Sequence, residues 1–155
     1  MMGKRYQHIL VPLDGSELAE LALGHALSLA ELCQSDITLL QVVLPLEHVI
    51  GDENHLIYVD QQWASQRDLA LQYLKKICKR DGPKNIKIHL DVELGPPAET
   101  IIDYVHQKPI DIIVMATHGR TGLQRWVYGS VADKVLRGAG VPVLLVRVHA
   151  QPKAA

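Results

Sequence analysis

The sequence predicts an α/β fold: a single doubly wound, five-stranded parallel sheet with strand order 3-2-1-4-5 and helices on both faces. Three observations predict it. Five short apolar segments alternate along the chain with stretches of helical period. Residues 110–116 (IDIIVMA) are almost continuously apolar, as a strand buried on both faces of a parallel sheet must be. Right-handed crossovers leave few orders open to strands joined by helices, and 3-2-1-4-5 is the natural one.

Residues 7–13 (QHILVPL) are apolar and β-branched and predict the first buried strand. Asp14-Gly15-Ser16-Glu17 breaks the run, with Ser16 the expected N-cap and Glu17 and Glu20 in the positive first turn. Leu18, Leu21, Ala22, His25, Leu29 and Leu32 then recur at helical spacing, predicting a helix to about Leu32 with these residues on its apolar face. Residues 37–44 (ITLLQVVL) predict a second buried strand. Residues 45–59 hold Pro45, Gly51, Asp52, Glu53 and Asn54 without a period, and predict a surface loop longer than usual. A second helix is expected from Asp60, with Trp63, Arg67, Ala70, Leu71, Leu74, Ile77 and Cys78 on one face and Asp81-Gly82-Pro83 as its stop.

Residues 86–94 (IKIHLDVEL) alternate strictly, which predicts a strand with one exposed face at a sheet edge. Pro97 suits the first turn of a third helix carrying Ile101, Ile102 and Val105. After the central strand comes a Gly-rich stretch, 117–129. Ser130 is the expected N-cap of a fourth helix that ends near Gly138-Ala139-Gly140, and residues 141–148 (VPVLLVRV) form the last strand.

The chain has 155 residues, enough to bury a core without disulfides or metal, and reads as one domain over 1–155 with 149–155 a frayed tail. Its formal net charge of −1 creates no general field toward nucleic acid or an anionic membrane, and neither is expected as a partner. No run approaches the roughly 18 apolar residues of a membrane span. Cys33 and Cys78 form no C-x-x-C and no zinc spacing, and read as free thiols of a reducing compartment. The polar start, Met1 to Tyr6, lacks the apolar core of a signal peptide, so a cytoplasmic protein is expected.

The predicted order puts the topological switch between the first and fourth strands, and ligands of such sheets sit there, outside the carboxyl ends. Pro12-Leu13-Asp14 and Met115-Ala116-Thr117-His118-Gly119 both end at that point. Gly119-Arg120-Thr121-Gly122 lies just past the central strand, and Gly129-Ser130 opens a helix. Glycines let backbone N–H groups approach a phosphate, and a helix start adds unpaired donors and a positive dipole end. The Ser130 hydroxyl can donate to a phosphate oxygen, Arg120 is a candidate charged partner, and His118 a candidate phosphate contact. Asp14 can accept from ribose hydroxyls. Singly, each signal is weak. Ser130 has a sufficient role as an N-cap, Asp14 can cap the first helix in a D-x-x-E arrangement with Glu17, and Gly122 and Gly138 can serve turns and helix ends. Both roles of Asp14 stay open.

Jointly the pattern is specific. Val11-Pro12-Leu13-Asp14-Gly15-Ser16 is followed by Met115-Ala116-Thr117-His118-Gly119-Arg120-Thr121-Gly122, nine residues between Gly119 and Gly129, Gly129-Ser130-Val131 and Val141-Pro142-Val143-Leu144-Leu145-Val146-Arg147. This order resembles the universal stress protein family, from about Tyr6 to Val148. The family's ATP-binding branch carries G-x-x-G, a nine-residue gap, then G-[S/T]. The chain matches it at Gly119, Gly129 and Ser130 and departs at the first position, where Ala116 stands in place of Gly. The resemblance implies ATP or AMP as ligand, and a Mg2+ ion can ride on the phosphates of such a ligand. It implies that Pro12, Leu13 and Asp14 line the adenosine pocket with Asp14 facing the ribose, that Val42 offers its backbone to adenine and that Met115 packs near the base. Gly119, Gly129, Ser130 and Val131 are then the phosphate holders. It also implies a homodimer through the final strand, Val141 to Val148, which as a lone edge would be an aggregation liability.

There is no G-x-x-x-x-G-K-[ST], no G-x-G-x-x-G after the first strand and no G-x-S-x-G. No second His, Cys or carboxylate stands at ligand spacing with His118, so a metal site built by protein alone is not expected. Trp63 and Trp126 read as packing anchors, Trp126 also as a lid or dimer contact. Three functions follow: a nucleotide-binding regulatory module in the stress response with slow or no hydrolysis; a weak ATP-hydrolysing or adenylyl-transferring enzyme using Asp14 and Ser130; and an interaction module that has lost the nucleotide through Ala116.

Overall fold

In the computed structural model, residues 5–45, 55–119 and 129–149 are described. The elements are β1 (His8–Leu13), α1 (Glu17–Cys33), β2 (Asp36–Val43), α2 (His55–Asp81), β3 (Ile88–Leu94), α3 (Pro97–Gln107), β4 (Ile112–Gly119), α4 (Ser130–Gly138) and β5 (Val143–His149). Five parallel strands lie in the order β3-β2-β1-β4-β5, as expected. Residues 46–54 of the expected loop, Arg120, Gly122 and Trp126 of the Gly-rich stretch, and the tail beyond His149 lie outside the described residues.

Strand residues alternate between two cores because successive side chains point to opposite faces. Ile9, Val11, Leu13, Ile37, Leu39, Ile112 and Val114 pack with α1 and α2, whereas Leu10, Leu40, Ile113 and Met115 pack with α3 and α4. Strands buried on both faces favour apolar residues throughout, which explains the largely apolar runs in β1, β2 and β4, with Thr38 and Thr117 as buried polar exceptions.

Ser16 caps α1, its hydroxyl accepting from the Ala19 N–H at 3.1 Å. The buried stripe of α1 differs from the expected one. Ala22, Leu23, Ala26 and Ala30 face the sheet, while His25 is exposed and Leu21 and Leu32 are 52% and 81% exposed. The apolar arc of this helix is wider than the sheet can cover. The alanines hold the closest contact because small residues let the backbone lie close to the strands, and Leu21 and Leu32 are left on the flank. The second helix begins at His55 rather than Asp60, so 55–59 are helical, not loop. No Gly or Pro stands in that segment to stop it. Arg67 is exposed rather than on the packed face, which is formed by Ala70, Leu74 and Ile77 with Trp63 and Leu71 partly buried.

The two helices on that face are tied by a polar cluster. The Tyr73 hydroxyl donates to Glu20 at 3.0 Å, and Arg80 reaches Glu20 at 2.7 Å and Asp81 at 2.5 Å. Burial, then the bond to Glu20, raises the Tyr73 phenol well above its ordinary titration range. On the opposite face, Lys134 of α4 pairs with Glu99 of α3 at 2.9 Å. β3 forms one edge, as its alternation predicts: Val92 is buried against the core, while Asp91 on the other side accepts from the Tyr104 hydroxyl at 2.9 Å. β5 forms the other edge.

Candidate functional site

Parallel strands end on one rim of the sheet, and the helices that follow them begin there. The chain leaves β1 through Asp14 and Gly15, the latter at φ +85°, a conformation that favours glycine. Asp14 closes this turn. Its Oδ1 accepts from the Ser16 backbone N–H at 2.9 Å and from the Ser16 hydroxyl at 2.5 Å. Asp14 is therefore not the cap of α1, as the D-x-x-E reading allows; it braces Ser16, which is. Its Oδ2 makes no hydrogen bond among the described residues, and the residue is exposed.

Across the switch, β4 runs three residues past Ala116 to Gly119. The fourth helix starts one position earlier than expected. Gly129 is the N-cap, with no side chain to bond the helix start, and Ser130 is the first helical residue. The expected cap role for Ser130 does not hold, and its hydroxyl makes no hydrogen bond among the described residues. The first backbone bond of α4 runs from the Asp133 N–H to the Gly129 carbonyl at 3.0 Å. The N–H groups of Ser130, Val131 and Ala132 therefore have no helical acceptor. Gly129 has φ −51°, which any residue adopts, and a Cβ built there meets nothing within 4 Å among the described residues.

These pieces share one cavity of about 330 Å³, within the range of small-ligand sites. Of the residues expected in the site, Pro12, Leu13, Asp14, Val42, Met115, Ala116, Gly129, Ser130 and Val131 all line it. His118 and Gly119 lie in the last residues of β4, while Arg120 and Gly122 are among the undescribed residues. The lining also holds residues that sequence reasoning missed: Ser16, Leu18 and Ala19 from the start of α1, Pro97 and Ile101 from α3, Thr117 from β4 and Ala132 from α4. Pro97 carried a usable signal, since it opens a helix directly after a strand of the same sheet.

The walls divide by chemistry. Val42, Ile101, Met115 and Leu18 contribute apolar lining. Asp14 supplies an acceptor, and the start of α4 supplies open amides and a hydroxyl at the positive end of a helix dipole. No group of three His, Cys, Asp or Glu side chains able to hold a metal occurs among the described residues. No described helix is long and apolar enough to cross a membrane.

Comparison with known proteins agrees with this architecture. The universal stress protein family profile matches residues 5–147. Universal stress protein MJ0531 of Methanocaldococcus jannaschii is 33% identical over 143 residues, spanning 92% of this chain and 82% of the relative. Universal stress protein MJ0577 of the same organism is 30% identical over 158 residues, spanning 94% of this chain and 98% of the relative. The solved structure of MJ0577 superposes with a TM-score of 0.80, covering 96% of this chain and all of that one at 28% identity. Two more distant structures share the fold: a universal stress protein in complex with cAMP (TM-score 0.65, 19% identity, 93% and 98% covered) and an Arabidopsis thaliana family member with AMP bound (TM-score 0.60, 17% identity, 93% and 93% covered). With profile, relatives and superposition in agreement over nearly its whole length, the chain belongs to the universal stress protein family.

Proposed function

We propose that the chain is an adenine-nucleotide-binding module, with ATP or AMP as ligand, that regulates partner contacts in a stress response and hydrolyses its ligand slowly or not at all. One observation carries this reading: one cavity is lined both by Asp14, whose Oδ2 makes no hydrogen bond among the described residues, and by the start of α4, whose first amides have no helical acceptor. The residues fit the ligand. The apolar lining takes adenine, Asp14 takes the ribose hydroxyls, and the Ser130 hydroxyl with the amides of Ser130 and Val131 takes phosphate. The AMP and cAMP complexes of the distant structures point to the same ligand class. Without a cluster of metal-ligating side chains among the described residues, Mg2+ would enter on the phosphates.

Among the described residues Asp14 is the one titratable side chain that lines the cavity, and in this reading it is taken up by the ribose, which weighs against the enzyme reading. The same proposal includes a homodimer formed through the β5 edge, in the cytoplasm.

Calorimetry with ATP and AMP tests the site, using wild type and Gly129→Val. Valine suits the backbone there and fills the cradle, so it abolishes binding while leaving the melting temperature close to wild type. No heat with wild type hands the fold to the interaction-module reading, with Ala116 as the reason. Equal binding by both proteins moves the site elsewhere. Steady ADP release faster than about one per minute overturns the regulatory reading in favour of the enzyme.

A further inference from the structure

Thr117 lies near the end of β4, 4% exposed, in the cavity wall. Its Oγ1 accepts the N–H of Gly129 at 3.3 Å, across twelve positions of sequence. This is the only side-chain bond to the cap residue of α4 among the described residues. A helix normally fixes its first turn with a side chain at the N-cap. Gly129 has none, and Thr117 instead holds the backbone N–H of the cap residue itself from β4, which leaves the first-turn amides open.

We infer that Thr117 is a positioning residue for the phosphate end of the ligand. The inference rests on the nucleotide reading above and deepens it. By holding Gly129, the Thr117 hydroxyl sets where the open amides of Ser130, Val131 and Ala132 stand relative to β4 and to Asp14 across the rim. The bond spends the one amide that Gly129 would otherwise turn elsewhere. It fixes the phosphate half of the cavity without touching the apolar half, which Val42, Met115 and Ile101 form. The hydroxyl keeps its own proton and a second lone pair while accepting from Gly129. A threonine or a serine can play this part and an isosteric valine cannot.

The experiment compares Thr117→Val and Thr117→Ser with wild type by calorimetry against ATP and against adenosine, alongside melting without ligand. Thr117→Val weakens ATP about tenfold, the effect of one lost hydrogen bond, and leaves adenosine within about twofold. Thr117→Ser restores ATP binding. A merely structural role lowers the melting temperature and weakens both ligands in parallel, and that result overturns the inference. Unchanged ATP affinity in Thr117→Val overturns it too. If Thr117→Val is silent while Gly129→Val abolishes binding, the inference falls and the nucleotide site stands. If wild type binds neither ligand, both fall.

Discussion

Asp14 and Ser16 are locked together by two hydrogen bonds on one carboxylate oxygen, 2.9 Å from the Ser16 amide and 2.5 Å from its hydroxyl. Oδ1 holds the turn, and in the proposed function Oδ2 is left for the ribose, so that structural and ligand duties fall on different oxygens of one side chain.

Asp14→Asn should separate these duties in solution. Asparagine keeps an acceptor for the turn, so stability stays within about 0.5 kcal/mol of wild type. The second oxygen becomes an NH2 group and ceases to accept, so affinity for ATP falls about tenfold. Asp14→Ala loses the turn as well and lowers stability by about 1 kcal/mol. Chemical denaturation and calorimetry on the two variants check this. Asparagine and wild type binding alike would remove Asp14 from the ligand.

The serines at two helix starts give a second contrast. Ser16 caps α1 through the Ala19 N–H, so Ser16→Ala costs about 1 kcal/mol. Ser130 caps nothing, so Ser130→Ala changes stability by less than about 0.5 kcal/mol and weakens ATP about tenfold. Denaturant melts and titrations of the same two proteins read both numbers. A large stability loss in Ser130→Ala would return that hydroxyl to a structural role.

Much of this was legible in the sequence, for identifiable reasons. The strand order follows from apolar runs separated by clear breakers, and the end of β1 at Leu13 follows from where its run stops, whereas β4 continues three residues beyond its apolar run, to Gly119. What escaped prediction depends on distances that the chain hides. Gly129 rather than Ser130 caps α4, a one-residue boundary that local pattern does not resolve. Thr117 matters through a bond to a residue twelve positions away. The face of α1 was misjudged because leucines and alanines both recur at helical spacing, and only the sheet decides which set is buried.

Acid sensitivity should arise at the other end of the sheet. His8 stacks on His89 with ring centroids 5.4 Å apart, and its Nε2 lies 2.7 Å from the Thr38 hydroxyl. Burial first, then the charge of His89, lowers the His8 pKa below 6.5; Lys87 acts the same way, while Asp36 and Asp111 oppose it. The fold thus favours neutral His8. Its contribution is complete above the ordinary value of 6.5 and is lost as pH falls from there through the lowered folded value. His8→Gln keeps a partner for Thr38 and cannot titrate. Its stability should decline less than that of wild type between about pH 7 and pH 5, by urea melts at each pH. Parallel curves would assign the acid response to other groups.

The proposed dimer rests on an edge that can be tested without touching the cavity. β5 ends the sheet beyond β4, and Leu144 on it is 41% exposed in the single chain. An apolar side chain exposed on an edge strand is the arrangement that invites a second strand, and a lysine there is how natural edges prevent it. Leu144→Lys should therefore convert a sedimenting dimer to monomer. It should leave ATP affinity within about twofold, because Leu144 does not line the cavity, with substitutions away from a site normally acting independently of it. A wild-type protein that sediments as a monomer would reject the dimer outright. A variant that stays dimeric would move the interface off β5. A variant that loses dimer and nucleotide together would reveal that pairing of the edges and order of the phosphate cradle are one equilibrium, carried through β4, which bonds β5 on one side and presents Thr117 to Gly129 at its end.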